Sequence, residues 1–216
     1  MAWERAQRGE PLGRVAPLGV IVRMNRQLIL ITGGARSGKS ALAERLAMRG
    51  ERVLFVATAE ALDEDMAHRI AAHQASRPRH WDTLEEPRSL PEAIRYKTSR
   101  KTSRYDTIVV DCLTMWVSNL LLLHEGGTDA EGRIMDAVRE LIEVYECSSA
   151  SWIVVTNEVG LGVVPSSSLG RAYRDALGRV NSLVAGRADK VYLMAAGLAL
   201  DLKALGARHL NDMSAE

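Results

Sequence analysis

A glycine-rich octapeptide near the start of the chain carries the clearest chemical signal. It reads Gly33-Gly34-Ala35-Arg36-Ser37-Gly38-Lys39-Ser40, a complete GxxxxGKS pattern. In such a loop the glycines let backbone N–H groups approach phosphate oxygens, the lysine reaches the β- and γ-phosphates, and the serine hydroxyl ligates Mg²⁺. The octapeptide therefore predicts that the chain binds a nucleoside triphosphate with magnesium, and that Ser40 is a metal ligand.

A single acidic residue ends an apolar run further along the chain. Asp111 closes the stretch TIVVD, the position from which a carboxylate orients the magnesium shell in triphosphate-binding folds. An aspartate that ends a strand is also a common turn residue. In a chain that carries the phosphate loop, we expect Asp111 to be the second residue of the metal site.

Three of the five histidines fall in DMAHRIAAHQASRPRHW, residues 65–81. His68 and His73 are five positions apart, about 140° around a helix, so their side chains diverge. His80 is separated from both by Pro78, which interrupts a helix. This spacing does not suit a zinc site, whose ligands must converge on one ion.

His73 has two other interpretations. It follows Met66 and Ile70 on an apolar helical stripe, which is typical of a core or interface histidine. A neutral imidazole is also a competent nucleophile near pH 7 and can form a phosphoramidate with a nucleotide. Arg69, on the same helix face, and Arg77, one turn later, are either phosphate clamps or solvated surface residues. The residues alone leave these choices open.

The elements that would position these residues alternate along the chain. Five apolar runs predict strands at residues 27–32, 52–57, 105–111, 152–156 and 190–194. Helical periodicity occupies residues 40–48, 63 to about 74, about 130–147, and a segment marked by Leu169, Tyr173, Leu177, Val180 and Val184. Near-continuous apolar strands between helices predict an α/β fold with a largely parallel sheet and helices on both faces.

Composition bounds the class of protein. The 216 residues are 47% hydrophobic and 25% charged with a formal net charge of +1, which fits a globular domain and gives no indication of nucleic-acid binding. Apolar runs are too short to span a bilayer, and two distant cysteines, Cys112 and Cys147, indicate no disulfide framework. We expect a cytoplasmic protein with one domain at 27–216, preceded by an extension at 1–26 that is disordered or reflects a misassigned start.

The tandem repeat KTSR-KTSR lies within residues 95–104, directly before the third predicted strand. Basic, hydroxyl-rich segments between elements are usually solvated. We expect a surface loop here, and the residues alone do not support a role in phosphate binding.

The segment TNEVGLGVVP, residues 156–165, follows the fourth predicted strand. It therefore lies at the carboxyl edge of the sheet, where ligands of such folds bind. Asn157 and Glu158 are candidates to contact substrate or a neighbouring subunit, and the sequence does not choose between these roles.

Phosphate loops serve switches, motors and kinases, so further motifs must decide the class. A GTPase switch is disfavoured because TNEV at residues 156–159 does not match the NKxD guanine motif, and no DxxG follows the third strand. A RecA-like ATPase and a small-molecule kinase both remain open on these features.

Four motifs together resemble one family. They are TGGARSGKS at residues 32–40, ATAEALDEDMAHRIAAHQASRP at 57–78, TNEVGLGVVP at 156–165 and GRAYRDALGRVN at 170–181. Through them, over residues 27–203, the chain resembles the bifunctional adenosylcobinamide kinase and adenosylcobinamide-phosphate guanylyltransferase family of cobalamin assembly. The phosphate loop is widely shared, whereas the histidine stretch and TNEVGLGVVP are specific.

The resemblance implies two reactions on a RecA-like P-loop fold. A nucleoside triphosphate, ATP or GTP, phosphorylates the aminopropanol hydroxyl of adenosylcobinamide. GMP then passes from GTP to that phosphate through a covalent guanylyl-histidine, which gives adenosylcobinamide-GDP and pyrophosphate. The resemblance also implies Mg²⁺ and a homotrimer with its active sites near subunit boundaries.

The functional residues of the family carry over by motif. The guanylylated histidine corresponds to His73. Guanine-nucleotide contacts are implied at Gly33, Gly34, Ala35, Arg36, Ser37, Gly38, Lys39, Ser40, Thr58, Ala59, Glu60, Gln74, Ala75, Ser76, Arg77, Glu85 and Asp111. Two alternatives stand beside the bifunctional enzyme: a kinase-only small-molecule enzyme with a structural His73, and a RecA-like ATPase module that serves assembly.

Overall fold

The structure is a computed structural model that describes residues 26–60, 64, 74, 77–99, 105–124 and 129–213. Its strands are β1 (Leu28–Gly33), β2 (Val53–Ala57), β3 (Asp82–Glu85), β4 (Thr107–Asp111), β5 (Ser151–Val155), β6 (Lys190–Ala195) and β7 (Leu198–Asp201). Its helices are α1 (Lys39–Ala47), α2 (Leu90–Ser99), α3 (Leu113–Leu123), α4 (Ala130–Glu146) and α5 (Ser168–Arg187), with a 3₁₀ turn at Leu210–Asp212.

These strands form one sheet in the order β3-β2-β4-β5-β1-β6-β7. Every pairing is parallel except that of β6 with β7, which is antiparallel. One strand, β5, lies between β1, which leads into the phosphate loop, and β4, which ends at Asp111. This arrangement is the RecA-like form of the P-loop fold, so the predicted fold class is confirmed.

Helices cover both faces of the sheet. Leu28 and Leu30 of β1 belong to a core formed with α2, α3, α4 and α5. Ile29 and Ile31 of the same strand belong to a second core, which α1 covers. Because successive side chains of a strand point to opposite faces, burial on both faces requires the near-continuous apolar runs seen in the sequence.

The five predicted strands and the helices α1, α4 and α5 are confirmed, with bounds within one or two residues where bounds were predicted. The helix predicted from residue 63 to about residue 74 lies outside the described residues, except for Glu64 and Gln74, which are both helical. Among the helices in the described part of the chain, none is long and apolar enough to cross a membrane.

The predicted loop at residues 95–104 is wrong for its first half. Residues 95–99 are the end of α2, and residues 100–104 lie outside the described part. The helix forms because Leu90 and Ile94, four positions apart, are both fully buried, and because Arg95 pairs with Glu140 of α4 at 2.9 Å. The Glu86 carboxylate accepts hydrogen bonds from the backbone N–H groups of residues 88 and 89 and so supports the start of this helix.

Three further elements were not predicted. Helix α3 follows Asp111 almost immediately and is apolar nearly all round because it is packed between the sheet and other helices, which hides its helical period. The strands β3 and β7 are four-residue edge strands whose side chains are mostly exposed. Short edge strands with exposed faces leave almost no apolar pattern in a sequence.

Candidate active site

The phosphate loop takes a conformation that only glycine allows at two positions. Gly38 precedes α1 with a φ of 97°, in the left-handed region. Gly33 ends β1 with a φ of 143°, and a Cβ on it would collide with the carbonyl oxygen of Met194 on β6. The two glycines therefore fix the close approach of the loop to the sheet and to the helix start.

Lys39 lies inside the loop and not in solvent. Its Nζ donates a hydrogen bond of 2.6 Å to the carbonyl oxygen of Gly34, and the residue is 8% exposed. Burial lowers the pKa of Lys39, while nearby Cys112 and Asp111 act in the opposite direction. A partly desolvated ammonium group held in this position interacts strongly with phosphate oxygens.

The Ser37 side chain also points to a phosphate ligand. Its Oγ is buried and has no hydrogen-bond partner among the described residues. Buried polar atoms are nearly always paired in a folded protein. An unpaired hydroxyl inside a phosphate loop is the arrangement expected of a group that a bound phosphate would satisfy.

The hairpin of β6 and β7 supports the loop from the side. Its turn places the N–H of Gly197 3.2 Å from the carbonyl oxygen of Ser37, to which it donates. The backbone N–H of Glu158 donates to the carbonyl oxygen of Gly33 at 3.1 Å. Sequence reasoning missed the hairpin contact because β7 was not predicted.

Asp111 ends β4 opposite Ala57 of β2 and Val155 of β5. Asp111 and the half-buried Ser40 line the same cavity. A carboxylate and a hydroxyl are the hard oxygen ligands that Mg²⁺ prefers. The structure therefore brings the pair predicted for the metal site to one cavity.

Thr58 supports the strand ends with its side chain. Its Oγ1 donates to the carbonyl oxygen of Cys112 at 2.7 Å and accepts from the N–H of Cys112 at 2.9 Å. Asn119 of α3 donates to the carbonyl oxygen of Thr58 at 2.9 Å. Thr58 is fully buried, and its hydroxyl is hydrogen bonded within the protein. The neighbouring Ala59, and not Thr58, lines the cavity.

Arg77 contributes a charged side chain to the same cavity as the phosphate loop. Its guanidinium carbon lies 3.8 Å from the centre of the Phe55 ring. Burial lowers the pKa of Arg77, against the opposing effect of Asp111 and Glu85, and an arginine remains charged at neutral pH. Its Nε and Nη1 are buried without a hydrogen-bond partner within the described ranges. A buried cation with free donors is a site for an anion.

The other predicted contacts do not all line the cavity. The side chain of Gln74 donates a hydrogen bond to the carboxylate of Glu85, which lines the cavity at the end of β3. Glu60 forms a 3.0 Å ion pair with Arg88 and does not line the cavity. The predicted residues His73, Ala75 and Ser76 lie outside the described residues.

The cavity has a volume of about 600 Å³. Ten of the predicted nucleotide contacts line it: Ala35, Arg36, Ser37, Gly38, Lys39, Ser40, Ala59, Arg77, Glu85 and Asp111. Residues that were not predicted as nucleotide contacts also line it: Ala41, Ala57, Cys112, Met115, Val155 and Asn157. Of these, Asn157 lies in the motif TNEVGLGVVP and Ala57 begins the motif at residues 57–78. The other four lie outside the four motifs.

A phosphate loop, an acidic residue on the second strand away and a buried arginine around one cavity define a P-loop protein built to bind a nucleoside phosphate. The chain belongs, more particularly, to the cobinamide kinase / cobinamide phosphate guanyltransferase family, whose model matches residues 29–202. The resemblance seen in the four sequence motifs is thereby confirmed.

Curated relatives agree with the family. The chain is 39% identical over 184 residues to the bifunctional adenosylcobalamin biosynthesis protein CobU of Escherichia coli, covering 82% of this chain and 99% of the relative. It is 44% identical over 176 residues to CobP of Pseudomonas aeruginosa, covering 81% and 96%. Among solved structures, the flagellar accessory protein FlaH of Methanocaldococcus jannaschii gives a TM-score of 0.44 at 14% identity, over 80% of this chain and 74% of that one.

The fit of Gly33 against β6 generates a prediction about binding. Gly33→Ala should weaken nucleoside triphosphate binding at least tenfold, because the added Cβ is incompatible with both the φ of 143° and the Met194 carbonyl. Calorimetric titration with GTP checks this. Gly178→Ala on α5, where an added Cβ meets nothing within 4 Å, is the control and should bind normally. Wild-type affinity in Gly33→Ala would contradict the prediction.

The two cysteines should differ in reactivity. Burial, followed by the charge of Asp111, raises the pKa of Cys112 to about 11, so roughly one molecule in a thousand carries the thiolate at pH 8. Cys147 is exposed. Iodoacetamide at pH 8 should therefore modify Cys147 first, and the Cys147→Ser protein should gain mass slowly, faster as pH rises toward 11. Intact-mass spectrometry measures the rates at which Cys147 and Cys112 are alkylated. Equal rates would contradict the predicted difference in reactivity.

Proposed function

We propose that this chain is a bifunctional adenosylcobinamide kinase and adenosylcobinamide-phosphate guanylyltransferase. The observation that carries the proposal is one cavity in which the phosphate loop, Asp111 and Arg77 meet, in a chain whose family match spans residues 29–202. Its substrates are ATP or GTP and a corrinoid small molecule. We place the protein in the cytoplasm, with no nucleic-acid partner.

The kinase step is a displacement at the γ-phosphorus. The aminopropanol hydroxyl of adenosylcobinamide attacks, a bond forms between its oxygen and phosphorus, and its proton is lost to solvent. The bond to the β–γ bridging oxygen breaks and releases a nucleoside diphosphate. Lys39 holds the β- and γ-phosphates, and the buried charge on Arg77 stabilises the phosphate chain. Ser40 and Asp111 would hold Mg²⁺, which supplies further neutralisation of the phosphate oxygens.

The guanylyl step uses a different nucleophile. An imidazole nitrogen of His73 attacks the α-phosphorus of GTP, and the bond to the leaving pyrophosphate breaks. A phosphate oxygen of adenosylcobinamide phosphate then attacks the same phosphorus, which returns the electron pair to the imidazole and gives adenosylcobinamide-GDP. In support, His73 directly precedes Gln74, whose side chain is hydrogen bonded to the cavity residue Glu85.

A covalent label tests the guanylyl step. Wild-type protein incubated with α-labelled GTP and magnesium should retain label on denaturing electrophoresis, and acid should release it because a phosphoramidate is acid-labile. His73→Asn should retain none. The matched control is His80→Asn, a change at an exposed histidine of the same stretch, which should label normally.

Other outcomes separate the alternatives. No covalent label together with intact phosphorylation of cobinamide would leave a kinase-only enzyme. If the wild-type protein neither phosphorylates cobinamide nor takes up the label, the alternative of an ATPase module that serves assembly is favoured.

We also propose that the protein forms a homotrimer with active sites near subunit boundaries. Support comes from an apolar surface at the carboxyl edge of the sheet, where Leu161, Val163 and Val164 are 88%, 95% and 61% exposed. Such exposed apolar side chains are typical of interaction surfaces.

Sedimentation equilibrium tests the assembly. Wild-type protein should have the mass of three chains, and Val163→Asp should dissociate it because a carboxylate would be buried at the contact. Glu92→Lys, a charge change at an exposed residue of α2, is the control and should remain trimeric. A monomeric wild-type protein would overturn the proposed assembly and leave the enzymatic proposal standing.

A further inference from the structure

A buried asparagine at the end of the fourth motif, GRAYRDALGRVN, holds the two residues that follow β5, Thr156 and Asn157. Asn181 lies on α5 and is 8% exposed. Its Oδ1 accepts a 2.7 Å hydrogen bond from the hydroxyl of Thr156, and its Nδ2 donates a 2.9 Å bond to the carbonyl oxygen of Asn157. Both polar atoms of its amide are therefore committed to two consecutive residues at the carboxyl end of β5.

A second helix, α3, also holds the backbone of Asn157. The backbone N–H of Asn157 donates to Thr114 Oγ1 of α3 at 2.7 Å. The hydroxyl of Tyr173 on α5 donates to the Thr114 carbonyl oxygen at 3.3 Å. Burial raises the pKa of Tyr173 to about 12, so this hydroxyl keeps its proton at neutral pH. The backbone of Asn157 is thus held through both its N–H and its carbonyl.

These backbone contacts leave the side chain of Asn157 free to contact a ligand. Asn157 lines the cavity together with Lys39, Ser40 and Asp111. It follows the strand that lies between the strands of the phosphate loop and of Asp111. Its own amide makes no hydrogen bond to another described residue. An amide in this place can donate to a phosphate oxygen.

We propose that Asn157 is a catalytic residue of the kinase step, with its Nδ2 donating a hydrogen bond to an oxygen of the transferred γ-phosphate, and that Asn181 is the residue that positions it. The inference rests on the proposed kinase activity. A donor whose backbone is held in place needs little reorganisation to bond charge that shifts during phosphoryl transfer, and so lowers the barrier. Covalent guanylylation takes place at the α-phosphorus and depends less on this contact.

Steady-state phosphorylation of cobinamide tests the catalytic role. Asn157→Ala should lower kcat about 100-fold, the effect of removing one preorganised donor, with the KM for the nucleotide changed less than threefold. Label uptake from α-labelled GTP should fall much less. Ser182→Ala, next to Asn181 on α5 and in contact with His209 instead of the site, is the control and should keep wild-type kcat.

A double variant tests the positioning role. Asn181→Asp keeps the size of the side chain but removes the donor to the Asn157 carbonyl, and kcat should fall about tenfold at unchanged nucleotide KM. If Asn181 acts through Asn157, the double variant Asn157→Ala/Asn181→Asp should be no slower than Asn157→Ala alone. Multiplicative effects would show a general structural role and overturn the positioning assignment.

Two results separate failure of this inference from failure of the proposed function. If the wild-type protein phosphorylates cobinamide and Asn157→Ala does so with the same kcat, only the catalytic role of Asn157 is overturned. No phosphorylation by wild-type protein would overturn the kinase proposal and this inference together. Asn157 is not in either buried core, so the Asn157→Ala variant decides the question even where Asn181→Asp fails to fold.

Discussion

The site depends on the parallel register of three neighbouring strands. Asp111 of β4 aligns with Val155 of β5, which aligns in turn with Ile31 of β1. These strands are buried on both faces, so they are largely apolar up to the carboxyl edge. Asp111 lies at the level of Val155 and Ile31, and polar Thr156 and Thr32 follow one residue later on β5 and β1. A one-residue shift in any pairing would move Asp111 away from the phosphate loop and reverse the faces of the buried side chains.

The edge of the sheet divides its polar groups into two kinds. Thr58, Thr156 and Asn181 are buried and hydrogen bonded within the protein, and they connect strand ends to helices. Ser37 and Arg77 instead hold buried polar atoms that have no partner in the described part of the chain. The first group makes the walls rigid, and the second is desolvated ahead of binding. A rigid cavity with desolvated donors favours a highly charged ligand. The donors were ordered and desolvated when the protein folded, so binding needs little further reorganisation of the cavity.

Sequence predicted the parts of this molecule whose signals are local. The glycine loop, the apolar strands and α4 each carry a pattern within one segment, and each is confirmed. The sequence missed α3, whose burial on nearly all sides removes its period, and β3 and β7, whose exposed edges leave no apolar alternation. Contacts between distant segments were equally out of reach. Nothing local connects Thr58 with Cys112 or Gly197 with Ser37, because these pairs meet only through the strand order.

One cavity can serve two displacements because both act on the phosphate chain of a nucleoside triphosphate. Attack at the γ-phosphorus and attack at the α-phosphorus both need the charge of one triphosphate neutralised, and the cavity is lined by two cations, Lys39 and Arg77, that can supply this. What must differ between the reactions is the nucleophile. A hydroxyl needs a polar neighbour at the end of the phosphate chain, the role proposed for Asn157, which lines the same cavity as Asp111. An imidazole near neutral pH is already a nucleophile, so the second reaction needs only a histidine within reach of the first phosphate.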